Sequence, residues 1–290
     1  MRLAYLGTPE VATGTLRALV AAGHDVALVV SRPDRRRGRG GALLPSPVKA
    51  TALELGLPVS ERVDDVIDVG AELGVVVAFG RIIRPHVLAA LPMVNVHFSL
   101  LPRWRGAAPV ERAILAGDST TGVCVMAVDA GLDTGGVYGC IEVPIGPEDT
   151  LEDLRAVLAE RGTELLLSVL RDGLPDPRPQ EGEPTYAGKI EPHEHRLDWS
   201  RPALELHRVV RLGQAWTTFR GARLKIPRAR LLPPGSEVPP PGVIDADRLV
   251  VGAGDGGLEL VEVQPEGRPV QPAAAWRNGA RLGPGERLGE

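Results

Sequence analysis

The chain has 290 residues, of which 43% are apolar and 24% charged, with 35 glycines, 27 prolines and ten aromatic residues. This length predicts two domains, and the apolar fraction excludes an intrinsically disordered protein. The longest strongly apolar run, residues 75–79, is far shorter than the about 20 residues that a transmembrane helix needs. The first six residues lead directly into a turn, so we expect no secretory signal.

Cysteine content bears on the compartment. The two cysteines, Cys124 and Cys140, lie in strand-like apolar stretches. We expect them to form neither a disulfide framework nor a zinc site, and we expect no metal in the protein. A reducing environment fits this usage best, so the sequence predicts a cytoplasmic protein.

Charge differs between the two parts of the chain. Residues 1–200 hold 20 basic and 27 acidic residues, whereas residues 201–290 hold 13 basic and 10 acidic residues. Basic residues concentrate in segments 32–39 and 201–235. Two basic patches on an acidic protein indicate that it binds a polyanion at specific places. An arginine-rich surface that is merely solvated explains the same pattern equally well.

Short apolar runs alternate with amphipathic stretches over residues 1–173. This pattern is typical of a parallel sheet flanked by helices, and it predicts a Rossmann-like, doubly wound α/β domain with a mostly parallel sheet. The predicted strands are 3–6, 26–30, 75–79, 94–97, 122–128 and, as an edge or hairpin strand, 137–143; the predicted helices are 10–22, 46–55, 109–116 and 150–171.

The pattern changes after residue 173. Residues 174–200 begin with a stretch rich in proline, glycine and acidic residues, which predicts a linker. Over residues 201–290, short alternating segments separated by glycine turns predict a small OB-like β-barrel domain. Its predicted elements are a helix at 202–212, strands at 217–219, 222–231, 243–244, 249–251 and 258–263, and a helix at 272–277.

Candidate chemistry lies at the ends of two apolar strands. Residues 7–10 contain neither a G-x-G-x-x-G pattern nor a P-loop, so a dinucleotide or ATP site is unsupported. Asn95 and His97, by contrast, close one predicted strand, and Asp133 lies in the loop after another. Because side chains alternate along a strand, Asn95 and His97 point to the same face.

An amide, an imidazole and a carboxylate together indicate acyl transfer. The amide and the imidazole can both stabilise a developing alkoxide, and the carboxylate can orient the imidazole and accept a proton. No Ser or Cys stands in the context of a nucleophile, so we expect direct transfer to an amine without a covalent enzyme intermediate. Each residue alone is more often structural, but the three together favour a catalytic site.

These segments carry a family resemblance. Residues 95–109 (NVHFSLLPRWRGAAP) and 131–135 (GLDTG) resemble two signatures of the methionyl-tRNA formyltransferases. The Asn, His and Leu-Asp-Thr-Gly elements are shared by all folate-dependent formyltransferases and hydrolases. Residues 104–109 and the arginine segment (residues 32–39) resemble a narrower group and point to the tRNA enzyme. Shorter segments similar to other marks of the family are 7–9, 33–35, 38–40, 45–49 and 185–187, so the resemblance runs from residue 1 to near the C-terminus.

The resemblance implies transfer of the formyl group of 10-formyltetrahydrofolate to the α-amine of methionyl initiator tRNA. It implies that Asn95 and His97 stabilise the oxyanion and that Asp133 holds and polarises His97. It further implies a monomer that uses no metal and binds no membrane. The implied folate contacts are Phe79, Ser99, Leu100, Leu101 and Pro102, and the implied tRNA contacts are Arg35, Arg36, Arg37, Arg39, Arg208, Arg211, Arg223 and Lys225.

One departure and three alternatives accompany this interpretation. Phe98 stands where the family has Gly or Ala, and strand alternation predicts that it packs on the face opposite His97. The alternatives are a sugar-nucleotide amine N-formyltransferase with the same trio, a hydrolase that releases formate from the folate, and a tRNA-binding homologue without catalysis. The arginine segment and residues 104–109 favour the tRNA enzyme over the first two, and the complete trio argues against the third.

Overall fold

The computed structural model describes residues 1–37 and 41–290, which form two compact units. The first comprises Met1–Val110, Ser119–Ile145 and Leu154–Gly188; the second comprises Glu111–Asp118, Gly146–Asp153 and Lys189–Glu290. Each unit contains a hydrophobic core of its own. Within the described ranges, every helix is too short or too polar to cross a membrane.

The first unit is built on a seven-stranded sheet with helices. Its strands are β1 (Arg2–Gly7), β2 (Asp25–Val30), β3 (Arg35–Arg37), β4 (Ala42–Leu44), β5 (Val59–Ser60), β6 (Leu73–Val77), β7 (Met93–His97), β8 (Arg105–Gly106), β9 (Thr120–Ala127), β10 (Val137–Pro144) and β11 (Tyr186–Ala187). Its helices are α1 (Thr13–Ala21), α2 (Pro47–Glu54), α3 (Pro85–Ala90), α4 (Pro109–Ala116) and α5 (Leu151–Arg171), the last two of which extend into both units.

The order in the large sheet is β10-β9-β7-β6-β1-β2-β5. The five strands from β7 to β5 are parallel to one another, whereas β9 and β10 are antiparallel to their neighbours. The remaining four strands form the separate pairs β3–β4 and β8–β11. The predicted Rossmann-like, mostly parallel sheet is therefore confirmed, with an antiparallel edge.

Local sequence signals explain where elements begin and how deeply they lie. All five residues of β6 are buried, as a short continuous apolar run in a central parallel strand requires. Ser46 caps α2 by accepting a hydrogen bond from the Lys49 backbone N–H, and Pro47 occupies the first turn. The first predicted helix begins as a 3₁₀ turn at Glu10–Ala12 and continues as α1.

A glycine in α5 lets this helix lie directly on the strands that carry the candidate site. A Cβ at Gly162 would come within 2.6 Å of a Val96 methyl carbon and 2.8 Å of a Val123 methyl carbon. Phe98 packs beside the same position and is 9% exposed. The prediction that Phe98 packs on the face opposite His97 is confirmed.

Gly162→Ala should therefore destabilise the first unit although alanine is the better helix former. We expect a loss of about 1–2 kcal/mol in the free energy of unfolding, because overpacking outweighs the gain in helix propensity. Gly14→Ala in α1 is the matched control, since nothing lies within 4 Å of its Cβ position, and it should be neutral or stabilising. Urea denaturation of both variants measures the difference; equal stabilisation by both would contradict the packing argument.

The second unit is an antiparallel barrel. Its sheet order is β12-β13-β16-β15-β14, and β17 also pairs with β16. The C-terminal segment joins the two sheet edges, since Leu288 bridges Phe219 at the end of β12 and Arg287 bridges Val243 beside β14. The predicted OB-like barrel is confirmed. Its elements are α6 (Ala203–Arg211), β12 (Trp216–Phe219), β13 (Ala222–Leu231), β14 (Ile244–Asp245), β15 (Val250–Gly252), β16 (Gly257–Pro265), β17 (Gln271–Pro272) and α7 (Ala273–Ala280).

The segment predicted as a linker, 174–200, is structured. Arg178 makes an antiparallel bridge to Val137 at the start of the edge strand β10, and β11 pairs in parallel with β8. Residues up to Gly188 belong to the first unit, and those from Lys189 belong to the second. Prolines interrupt helices and central strands, but they do not prevent pairing with an edge strand, and composition alone misses such pairing.

The cysteines correct a sequence expectation. Cys124 on β9 and Cys140 on β10 are register partners, and a disulfide joins them. Sixteen positions separate them along the chain, but the antiparallel pairing of the two strands places them opposite each other. The count of two cysteines therefore does not indicate free thiols or a reducing compartment.

Candidate active site

The strand β7 supplies two of the three predicted catalytic residues. His97, at its end, is buried and 5% exposed, and Asn95 is partly exposed two positions earlier. The alternation of β7 puts both side chains on one face of the sheet. Asn95 pairs with Val76 on β6 and Met126 on β9, so it lies in the middle of the sheet, between regular strands.

The third residue reaches this face by an unexpected route. Because β9 is antiparallel to β7, its last residue, Ala127, pairs with Val94 near the start of β7. The loop of residues 128–136 must therefore extend back along β7 to reach His97. It does so: the Asp133 carboxylate Oδ2 lies 3.8 Å from Nδ1 of His97.

Both ring nitrogens of His97 face oxygen atoms. Nε2 donates a hydrogen bond of 3.0 Å to the carbonyl of Trp104, since a carbonyl oxygen can only accept. Nδ1 faces the Asp133 carboxylate. The hydrogen bond at Nε2 orients the ring, and Nδ1 lies at ion-pair distance from the carboxylate, so a proton on Nδ1 would be attracted to Asp133.

The loop motif explains how Asp133 is presented. Asp129 accepts hydrogen bonds from the Gly131 N–H at 2.9 Å and the Thr134 hydroxyl at 2.6 Å, which closes the turn. At Gly135, a Cβ would lie 1.9 Å from the Ala127 carbonyl oxygen, so only glycine fits there. Asp133 itself has a φ of +52°, a left-handed conformation that non-glycine residues rarely adopt.

Two further residues hold the Asp133 loop: Gly106, which lies in the signature segment 95–109, and Gln180, which sequence reasoning missed. The Gly106 N–H donates a 2.8 Å hydrogen bond to Oδ2 of Asp133. The Gln180 amide donates to the carbonyls of Asp133 and Gly135, at 2.9 and 2.8 Å. No local pattern marks Gln180, which lies in the segment predicted as a linker. The nearby segment 185–187 is marked only by its similarity to the family.

The predicted folate-contact residues differ in their exposure. Ser99 is 1% exposed and its hydroxyl donates to the Arg103 carbonyl at 2.6 Å, so it shapes the turn after β7. Phe79 is 2% exposed and packs in the first unit's core. Leu100, Leu101 and Pro102 are partly exposed.

The arginine segment forms a hairpin with a fixed base. Strands β3 and β4 pair, and Arg35 and Arg36 are exposed on β3. At the base, the hydroxyls of Ser31 and Ser46 are 2.6 Å apart, and Lys49 forms a 2.7 Å ion pair with Asp34. The backbone of Arg37 lies in β3, whereas the predicted contact Arg39 lies outside the described residues.

The predicted basic contacts of the second unit separate into exposed and buried groups. Arg223 and Lys225 are exposed on β13. The Arg223 guanidinium stacks 4.3 Å above the ring of Trp216, and Arg196 lies 5.8 Å from that ring. An indole with two guanidinium groups close to its ring is a surface suited to nucleic-acid backbone and bases. Arg208 is half-buried.

Arg211 is a correction to the predicted tRNA contacts. It is 9% exposed, and its guanidinium donates hydrogen bonds to the carbonyls of Asp149 and Gly146, at 2.7 and 2.9 Å. Burial lowers the pKa of this guanidinium below its usual value. Its donors are committed to backbone carbonyls, so Arg211 stabilises the second unit and does not present its charge to a ligand. The physical reason is the amphipathicity of α6, which turns one face of the helix inward and takes this basic residue with it.

Replacing Arg211 should consequently affect stability. We expect Arg211→Met to lower the free energy of unfolding of the second unit by about 1.5–3 kcal/mol, because two carbonyls lose charged donors. Lys225→Met, at an exposed position on β13, should change it by less than about 0.5 kcal/mol. Denaturation followed by tryptophan fluorescence suits this measurement, since Trp199, Trp216 and Trp276 all lie in the second unit. A near-neutral Arg211→Met would contradict the structural role.

Within residues 1–37 and 41–290, no group of three or more His, Cys, Asp or Glu side chains is arranged to hold a metal ion. The site that the described residues do form is an amide, an imidazole and a carboxylate on one sheet face. Such a site can stabilise an oxyanion and move a proton.

Two protein-family models match successive parts of the chain. The family model described as "Formyl transferase" matches residues 1–170, and that described as "Formyl transferase, C-terminal domain" matches residues 189–281. The first match contains Asn95, His97 and Asp133, and the second covers most of the barrel. The chain therefore has the fold and the domains of a formyl transferase.

Individual relatives show which family of formyl transferases the chain belongs to. Methionyl-tRNA formyltransferase of Symbiobacterium thermophilum is 45% identical to this chain, over 99% of the chain and 95% of the relative. The enzyme of the same name from Heliobacterium modesticaldum is 44% identical over the full length of both. The chain therefore belongs to the methionyl-tRNA formyltransferase family.

Solved structures support the fold. A sugar 3N-formyl transferase, WlaRD, solved in the presence of dTDP and 5-N-formyl-THF, superposes with a TM-score of 0.70 at 17% identity. The alignment covers 93% of this chain and 99% of that one. At this identity the similarity shows the fold alone.

Proposed function

We propose that this chain transfers the formyl group of 10-formyltetrahydrofolate to the α-amine of methionine esterified to initiator tRNA. The observation that carries the proposal is the pairing of Asp133 with His97, at 3.8 Å, on the sheet face that also holds Asn95. Full-length relatives at 44–45% identity bear the name of this activity. Because the substrates belong to protein synthesis, we propose the cytoplasm as the place of action.

The proposed reaction is a direct acyl transfer. The amine nitrogen attacks the formyl carbon, a C–N bond forms, and the carbonyl oxygen takes the negative charge. The Asn95 amide and the His97 ring, positively charged when Nδ1 holds a proton, stabilise this oxyanion. Asp133 balances the charge on His97 and accepts the proton that the attacking nitrogen loses. Collapse breaks the bond from the formyl carbon to N10 of the folate, which takes up a proton.

The folate donor is proposed to lie against the partly exposed segment Leu100–Pro102. The buried Ser99 hydroxyl already bonds the Arg103 carbonyl, so its proposed role is to hold this segment. From Phe79 we propose a backbone contribution, because its side chain is enclosed in the core. A folate donor also fits the relative WlaRD, which was solved with 5-N-formyl-THF.

Asn95→Ala tests the oxyanion role. The loss of one oxyanion donor is expected to slow single-turnover formylation about 100-fold or more, corresponding to about 3 kcal/mol of barrier. Asn278→Ala, at an exposed position of α7, is the matched control and should leave the rate unchanged. Quench-flow with formyl-folate and methionyl-tRNA gives both rates, and full activity of Asn95→Ala in a folded protein would refute the role.

The same assay separates the alternative functions. Formylation of initiator but not elongator methionyl-tRNA supports the proposal. Formylation of a sugar-nucleotide amine instead, or formate release without an acceptor, would identify the sugar enzyme or the hydrolase. Binding of tRNA with no turnover of the formyl-folate would identify a non-catalytic homologue.

The proposed tRNA contacts lie on both units. On the first unit, Arg35 and Arg36 project from a hairpin whose base is fixed by the Lys49–Asp34 ion pair. Arg37 and Arg39 belong to the same proposal by sequence alone. On the second unit, Arg223 and Lys225 are exposed next to Trp216, and we add Arg208 as a peripheral contact. Guanidinium groups suit phosphates and unpaired bases alike.

Salt dependence tests the hairpin contacts. The affinity for tRNA should fall steeply with salt, and Arg35→Met with Arg36→Met should reduce the slope of log affinity against log salt by about 0.7–0.9 for each phosphate that the variant no longer neutralises. Arg171→Met, which removes an exposed arginine at the end of α5, is the matched control and should leave the slope unchanged. Filter binding at several salt concentrations measures it, and an identical slope for all three proteins would exclude the hairpin.

A further inference from the structure

The segment of residues 178–187, here named the strap, contacts two loops of the first unit, the one that carries Asp133 and the one that carries Trp104. Arg178 pairs with Val137 at one end, and β11 pairs with β8 at the other. Gln180 and Thr185 lie between these two pairings along the chain. The first contacts the Asp133 loop and the second contacts Trp104.

We propose that the strap positions Asp133 and His97 for catalysis, with Gln180 as the positioning residue for Asp133 and Thr185 as the positioning residue for His97. The inference rests on the proposed function for its kinetic consequences. It assigns a role to a segment whose composition suggests only a connection between domains.

The amide of Gln180 is fully used. Its nitrogen donates to the carbonyls of Asp133 and Gly135, and its oxygen accepts from Nε and Nη2 of Arg105 at 3.0 and 2.6 Å. Two amide hydrogens and two lone pairs are the whole hydrogen-bonding capacity of this side chain. Its orientation is therefore unambiguous, because the guanidinium can only donate and the two carbonyls can only accept.

These bonds act on a strained backbone. Asp133 has a φ of +52°, and the direction of its carboxylate depends on keeping that conformation. Gln180 holds the carbonyl of this very residue, and the Gly106 N–H then fixes Oδ2. Without the Gln180 bonds, the loop is free to leave the left-handed region and the carboxylate moves from Nδ1 of His97.

His97 is held by the same segment through Trp104. The Trp104 carbonyl accepts from Nε2 of His97, and the Trp104 N–H donates to the Thr185 hydroxyl at 2.9 Å. Trp104 also has a left-handed backbone, with a φ of +61°. Each of the two catalytic side chains thus depends on one strained residue, and the strap bonds to both strained residues.

Gln180→Glu isolates the donor function of the amide. The glutamate is nearly the same size and still accepts from Arg105, but it places a charged oxygen against two carbonyls. We expect kcat to fall at least about tenfold with both KM values changed less than about threefold, because misplacement affects the transition state more than binding. Gln214→Glu, exposed in the second unit, is the matched control and should retain the wild-type kcat.

Thr185 is tested by rescue. Thr185→Val removes the hydroxyl at constant shape and should lower kcat at least about tenfold, whereas Thr185→Ser keeps the acceptor and should restore most of the rate. Equal rates for the valine and serine variants, or a wild-type kcat for a folded Gln180→Glu, would overturn the proposal. Thermal melting establishes that each variant is folded.

A second measurement decides the proposal independently of the reaction. Hydrogen exchange of the Gly106 amide reports its bond to Asp133, and Gln180→Glu should accelerate this exchange at least about tenfold while Gln214→Glu leaves it unchanged. Unchanged exchange in Gln180→Glu would refute the positioning role even if this variant had lost its activity. Should the wild-type chain fail to formylate methionyl-tRNA, the proposed function falls, and the exchange result still stands for the strap.

Discussion

The candidate site depends on one constraint. A carboxylate must be held beside a buried imidazole, although its loop leaves the sheet near the start of β7 and the imidazole lies at the end of β7. Asp133 follows β9, which runs opposite to β7, so its loop has to extend along the length of β7 before it reaches His97. The left-handed backbone of Asp133 and the close approach at Gly135 are consequences of that path. Most of the neighbouring hydrogen bonds serve to keep the loop in this conformation.

One face of β7 packs against a helix, and the other face carries the candidate site. His97 and Asn95 lie on one face, whereas Val96 and Phe98 pack against α5 at Gly162. Close packing leaves β7 little freedom to shift, because a core that is filled without voids resists small displacements. The Asn95 and His97 side chains, which we propose to be catalytic, therefore project from a rigid strand, and precision of about half an ångström is what such constellations require.

The two basic regions differ in how firmly the structure holds them. The hairpin β3–β4 is fixed at its base by Ser31, Ser46, Asp34 and Lys49, while Arg35 and Arg36 extend into solvent. On the second unit, the Arg211 guanidinium donates its hydrogen bonds to backbone carbonyls, whereas Arg223 is exposed on the surface and packs against Trp216. A count of arginines overstates the charge available to a polyanion, since burial and internal hydrogen bonds remove part of it.

The sequence by itself determined the features that arise from neighbours along the chain: the central strands, the Ser46 cap, the shared face of Asn95 and His97, and the family signatures around them. Alternation and capping act over a few residues, so one sequence suffices to predict them. Only the tertiary structure decided the antiparallel direction of β9, the Cys124–Cys140 disulfide, the burial of Arg211 and the bonds of Gln180 to the Asp133 loop. Each of these joins residues that are distant along the chain, and strand direction and pairing register, which set such contacts, leave no local trace in composition or spacing.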